Sequence, residues 1–132
     1  MQGAFIVERS VKMAKDDMHL IIYKILRYLY DCNKQGKIPT FSDMFSVLEL
    51  TGIPKSYLAQ ILTEMMDCGY IAGCSVTVAK DLTQFFLSEN ARVTISGVDY
   101  LNENSRMKKA AEIAGKAFEI VLESVISAAM SR

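Results

Sequence analysis

Two short segments constrain this chain more than anything else in it. The first is Ile61-Leu62-Thr63-Glu64-Met65-Met66-Asp67-Cys68-Gly69-Tyr70-Ile71. Its apolar residues recur at helical spacing, stop at a glycine and pass directly into Tyr-Ile, so a helix ends on Gly69 and a strand begins. The second is Val93-Thr94-Ile95-Ser96-Gly97-Val98-Asp99-Tyr100-Leu101. Here a strand meets a hydroxyl residue that starts a helix, and an apolar pair follows one turn on. Helix, strand, hairpin, strand, helix is the order of a winged helix, a fold used mostly by nucleic-acid and protein readers and seldom by enzymes.

The elements ahead of these segments agree. Met18, Ile21, Ile22, Ile25, Leu26 and Leu29 form one stripe, predicting a first helix from about Asp17 to Asp31. Thr40 precedes Asp43 by three, a capping pattern that opens a second helix over about Phe41 to Glu49. Pro54 suits the first position of a third helix, about Pro54 to Asp67, with Tyr57, Leu58, Ile61, Leu62 and Met65 inward. Its other face carries Lys55, Ser56, Ala59, Gln60, Thr63, Glu64 and Asp67. Tyr70 to Val78 alternates as a strand, Ala79 to Ala91 reads as a wing tip with a short extra strand near Phe85 to Leu87, and Arg92 to Ile95 returns. Ser96 and Asp99 repeat the capping signal. The predicted fold is α+β and mainly helical: a winged helix-turn-helix with a three-helix core, a β-hairpin wing and a long C-terminal helix.

Asn104 or Ser105 caps that last helix, about Arg106 to Met130, which spans roughly 37 Å at helical rise. Met107, Ala111, Ala114, Phe118, Val121, Leu122 and Val125 form an apolar surface that one small domain struggles to cover, which predicts a homodimer contact. The alternative is packing back on the first helix. The domain organisation expected is a leader over residues 1–12, a winged-helix domain over 13–104 and a dimerisation element over 105–132. The leader is inferred because Glu8-Arg9-Ser10 can be encoded as a ribosome-binding sequence ahead of Met13. N-terminal sequencing that finds Met1 would refute a start at Met13.

Composition excludes several functions. Apolar residues make up 51% of the 132, so the chain folds, and no apolar run reaches membrane-spanning length. His19 is the only histidine, and there is no Gly-rich phosphate loop or nucleophile constellation, so no catalytic residue, metal or cofactor is expected. Cys32, Cys68 and Cys74 are odd in number and lack Cys-x-x-Cys spacing, which fits a reducing cytoplasm. Net charge is zero, and Met18 to Asn104 holds seven bases against nine acids, a balance of −2. That penalises DNA binding, because phosphate contacts supply most non-specific affinity.

Three stretches resemble the YjcQ family, small winged-helix proteins of Gram-positive bacteria and their prophages. They are Ile22-Ile-Tyr-Lys-Ile-Leu-Arg-Tyr-Leu29, the turn from Leu62 to Ile71, and Thr94-Ile-Ser-Gly-Val-Asp-Tyr-Leu-Asn-Glu-Asn-Ser-Arg-Met-Lys-Lys-Ala110. The resemblance covers about Met13 to Ala110. It implies the fold, a cytoplasmic location and a phage or mobile-element context, but carries no activity across.

A winged helix that reads double-stranded DNA sets its third helix in the major groove. Ser56, Gln60 and Thr63 would then face base edges, with Lys55 near a phosphate. Lys24, Lys34 and Lys37 would hold the backbone, with Lys80 and Arg92 on the wing. The expected role is a small transcriptional regulator of a prophage or mobile element. The rival role is a protein-interaction module, an adaptor or inhibitor of a host protein anchored by Phe85, Phe86 and Leu87. If the terminal helix serves only to dimerise the chain, truncation after Ala110 yields a folded monomer by light scattering, and an unchanged mass overturns that role.

Overall fold

The computed structural model describes the backbone of residues 2–49, 53–79 and 82–130, and the side chains of 18–49, 53–79 and 82–128. The elements are α1 (Gln2–Gln35), α2 (Phe41–Leu48), α3 (Lys55–Asp67), β1 (Ile71–Ala79), β2 (Leu82–Val93), α4 (Ile95–Glu103) and α5 (Ser105–Met130). α1 begins earlier than the apolar stripe predicts, and the expected leader, residues 1–12, lies where side chains are outside the described set. None of the described helices is long and apolar enough to cross a membrane.

α1 is the hub, touching every other helix and β2. Ile21, Ile25, Leu26 and Leu29 are buried as their spacing predicts, and so are Tyr23, Tyr28 and Cys32, which the stripe leaves out. Burial therefore extends well beyond one stripe. The tyrosine hydroxyl of Tyr28 is satisfied inside the fold. It accepts from the Thr40 N–H at 3.1 Å and the Lys37 ammonium at 3.3 Å, and donates to the Thr40 carbonyl at 3.3 Å. Buried tyrosines need such a partner.

Two helices end by the same device. At the end of α1, the Lys37 N–H bonds the Cys32 carbonyl and the Gly36 N–H bonds the Asn33 carbonyl. At the end of α3, Tyr70 N–H bonds Met65 and Gly69 N–H bonds Met66. Both are Schellman closures, with Gly36 and Gly69 at positive φ. Thr40 caps α2 by accepting from the Asp43 N–H, as its spacing predicts. Pro54 is the N-cap of α3 rather than its first helical residue.

The wing differs from expectation. It is a single antiparallel ribbon closed from Ile71 opposite Val93 to Ala79 opposite Leu82, with no third strand among the described residues. Phe85 to Leu87 belongs to β2 and pairs β1 directly. The register slips between Ala72 and Cys74, so β2 bulges over Gly73, where a Cβ would lie 2.5 Å from the Asn90 carbonyl oxygen. The Asn33 side chain holds the base of this bulge to α1. Its amide donates to the Ala91 carbonyl and accepts from the Val93 N–H, as a neighbouring strand would.

The opening sequence signature resolves into one junction. Thr94, not Ser96, caps α4: its hydroxyl accepts from the Gly97 N–H and donates to the Gly69 carbonyl. Tyr70 and Tyr100 stack at 4.3 Å. Gly97 sits where a Cβ would be 2.2 Å from the Tyr70 carbonyl oxygen and 2.6 Å from the Val93 Cγ1. Only a residue without a side chain lets α4 approach this closely.

α5 is two helical pieces joined at Gly115, whose φ of 63° and ψ of −163° interrupt the helix. The first piece lays Met107, Lys108 and Ala111 beside Tyr23, Arg27, Tyr30 and Lys34 of α1. The second runs along α1 in the same direction. Phe118 packs on Tyr23, Glu119 pairs with Arg27 at 2.7 Å, and Leu122, Glu123 and Ile126 face Asp31 and Gln35. Met107, Ala110, Phe118, Leu122 and Ile126 are buried in the chain's own core. Truncation after Ala110 would therefore unroof α1.

Gly97→Ala is expected to lower stability by about 2–4 kcal/mol through backbone overlap. Helix propensity alone predicts a gain of about 1 kcal/mol. Urea unfolding distinguishes the two by the sign of the midpoint shift.

Candidate nucleic-acid interface

α3 presents two unlike faces. Leu58, Ile61, Leu62 and Met65 are buried, while Lys55, Ser56, Gln60 and Thr63 are exposed. The side chains of Lys55, Ser56 and Gln60 make no hydrogen bond within the described residues, so their donors and acceptors face solvent. Thr63 donates its hydroxyl to the Ala59 carbonyl at 2.8 Å and keeps acceptor capacity. Ala59, expected outward, is buried. Glu64 and Asp67 are exposed too, and they lie toward the C-terminal end of the helix. Between α2 and α3 the chain turns through Glu49, whose φ of 52° is left-handed, and residues 50–52 lie outside the described residues.

The predicted backbone-holding bases do not assemble around α3. Lys37 is spent inside the fold: its ammonium pairs with Asp43 at 3.0 Å and bonds the Tyr28 hydroxyl, and its side chain is only 7% exposed. Burial pulls its pKa down, but the Asp43 and Tyr28 bonds outweigh this and leave it raised above the ordinary lysine value. A raised lysine stabilises the fold fully below the unfolded pKa, and the contribution fades as pH climbs through the folded value. Lys24 lies over the Phe118 ring at 5.6 Å, and Lys34 lies over Tyr30 at 4.3 Å with Asp31 at 3.7 Å. Both stand on the α5 side of α1. Arg92 is exposed on the wing and donates to the Asn90 carbonyl. Lys80 falls outside the described residues. The bases left for a duplex at α3 and its wing are Lys55 and Arg92 among those described.

The wing separates its aromatics by period two. Phe85 turns inward and meets Phe41 at 4.9 Å and Phe45 at 6.1 Å, tying the ribbon to α2. Leu87 is also half-buried against the core. Phe86 and Leu82 occupy the opposite face, 62% and 56% exposed, with Gln84 between them. The expected anchor of Phe85, Phe86 and Leu87 is thus divided: one of the three faces solvent.

Of the residues expected to meet a second subunit, Met107, Phe118 and Leu122 are buried in the chain's own fold. Ala111, Ala114 and Val125 are half-buried against the same core, and Val121 is half-buried. Among the described residues, the large apolar side chains of α5 that face solvent are Ile113 and Ile120. The cysteines are all free thiols. Cys32 is buried, Cys68 exposed, and burial pushes the Cys74 thiol up to about 11, which keeps it protonated and poorly nucleophilic. Among the described residues no group of three His, Cys, Asp or Glu is placed to hold a metal ion.

Sequence reasoning missed Asn33, which reads as a loop residue, and Tyr28, which reads as a flank of the α1 stripe. The signal for Asn33 was available in kind: an amide can mimic a strand partner. Which strand it would serve was not.

A family model described as YjcQ protein matches residues 23–119, and the chain belongs to that family. The match begins within α1 and runs past Gly115 into the second piece of α5, further than the resemblance over Met13 to Ala110. No curated protein and no solved structure matches the chain.

Lys37→Gln is expected to remove about 2 kcal/mol of stability at neutral pH, the scale of a lost charged hydrogen bond. The gap from wild type should narrow as pH rises above the ordinary lysine value of 10.5. Urea midpoints across pH measure both, and any nucleic-acid affinity of the folded variant should be unchanged.

Proposed function

We propose that this YjcQ-family protein is a non-catalytic, cytoplasmic DNA-binding regulator of a prophage or mobile element, working as a homodimer through its C-terminal helix. The observation that carries the DNA reading is the solvent-facing row of Lys55, Ser56, Gln60 and Thr63 on a helix whose other side is locked into the core. A recognition helix enters the major groove by its N-terminal residues. Lys55 and Ser56 lead that end, where the helix dipole is positive and favours phosphate. Gln60, one turn on, has the paired donor and acceptor that read adenine. Glu64 and Asp67 follow at the end that tilts away from the groove in such a pose. With few bases available, affinity should be modest and only weakly salt-dependent, the slope following the number of phosphates neutralised.

A second function is favoured by a separate observation, the apolar outer face of the wing. Leu82 and Phe86 stand two pleats apart on one side of β2 and are more than half exposed. Aromatic and aliphatic side chains so placed serve as anchors in protein contacts. In that case the winged helix is a docking module for a host protein.

Enrichment from a random duplex pool at moderate salt separates the two. Wild type is expected to select a sequence motif that Lys55→Glu/Gln60→Ala loses and Leu82→Ser/Phe86→Ser keeps. No enrichment by a protein shown to be folded would overturn DNA reading.

A further inference from the structure

Gly115 interrupts α5 with a non-helical backbone conformation. Positive φ with ψ near 180° is essentially closed to residues with a Cβ. Yet a Cβ added there would meet nothing within 4 Å. The space is open, so the bend depends on the residue's backbone freedom and not on crowding. On either side the chain is helical, and a non-helical residue between two helical pieces interrupts the i to i−4 bonding pattern. A helical Gly115 would restore that pattern and turn α5 into one rod. Residues 116–130, about 22 Å of helix, would then swing off α1. Phe118, Leu122 and Ile126 would lose their cover, and the same groove on α1 would be left bare.

Ile113 and Ile120 supply the second observation. They flank Gly115, are 49% and 63% exposed, and lie seven residues apart. In the bent helix nothing aligns them. In a continuous helix seven residues make two turns, which brings both onto one face with Ala117 between them. Two such faces can meet about a two-fold axis, each isoleucine pair against its equivalent.

We propose that α5 is exchanged between two copies of this chain. In the exchanged dimer Gly115 is helical, and residues 116–130 of each copy lie in the α1 groove of the other. Phe118 and Glu119 meet Tyr23 and Arg27 across the chains as they otherwise do within one. Ile113 and Ile120 pack against their equivalents at the crossing, which adds a contact the bent monomer lacks. The occupant of the groove is a second copy because the surface it must match is the one this segment already fits. This rests on the dimer in the proposed function and names how it forms. It does not depend on DNA being bound.

Alanine at 115 favours the helical state and disfavours the bend, so Gly115→Ala full-length chain should be a dimer by light scattering at concentrations where wild type is largely monomeric. Adding Ile120→Asp should return it toward monomer. Exchange itself is read by mixing two chains in a Cys68→Ser background, one carrying Arg27→Cys and the other Glu119→Cys. After co-refolding, a short bismaleimide should link the two chains covalently. Dimers without a cross-link between the mixed chains would mean association by an outer surface and would overturn exchange while sparing the dimer. Monomers for both wild type and Gly115→Ala at every concentration would overturn both. Should Gly115→Ala fail to fold, the mixed-chain cross-link is read in chains that keep Gly115, at concentrations where they dimerise, and its absence there overturns exchange, as does failure to dimerise at any concentration.

Discussion

Everything in this fold is arranged around the need to cover α1. Its buried residues, Ile21, Tyr23, Ile25, Leu26, Tyr28, Leu29 and Cys32, extend well beyond a single stripe, so no single neighbour can take them out of water. α2, α3 and the base of the wing cover one part. The rest falls to α4 and α5, which is why a helical core with one β-hairpin carries a long terminal helix. Each large apolar side chain buried this way is worth roughly 1.5–3 kcal/mol. α5 is therefore a structural wall of the protein.

Polar groups that enter this core are matched locally. Tyr28 is fully buried, and its hydroxyl is satisfied by Thr40 and Lys37, with Lys37 closed off by Asp43. That network ties the end of α1 to the cap of α2 and sets where α2 begins. It also withdraws a base from the surface. A chain with zero net charge has few cations to spare, and several of these serve packing: Arg27 bridges Tyr23 and Glu119, and Lys24 lies over Phe118. The electrostatic attraction available to a phosphate backbone is correspondingly small.

Much of the helical framework was legible before any coordinates. Thr40 with Asp43, Gly69 with Tyr70, and Asn104 ahead of α5 are local signals whose hydrogen bonds close within a few residues, so sequence spacing encodes them. The exposed face of α3 was legible for the same reason, because period 3.6 assigns Lys55, Ser56, Gln60 and Thr63 to one side. The wing was read less well. Leu82 to Leu87 alternates cleanly, but the pairing of Ala79 with Leu82 and a register slip at Gly73 decide which β1 residues that alternation meets. Lys37 was misread because a lysine in a loop has no periodic signature, and Tyr28 and Asp43 approach it only once α1 and α2 are packed.

By itself the sequence determined the order of the helices, the Thr40 cap, the glycine at the helix-to-strand turn and the exposure of Lys55, Ser56, Gln60 and Thr63 on α3, since all depend on contacts a few residues apart. Tertiary structure decided what covers what. The stripe from Met107 to Val125 keeps helical spacing straight through Gly115, so nothing in its period announces a bend there. The bend arises because α1 offers an apolar surface for both halves of α5 to fold back upon. Only glycine tolerates the backbone conformation this requires, and burial against a surface from elsewhere in the chain is a quantity that local spacing does not contain.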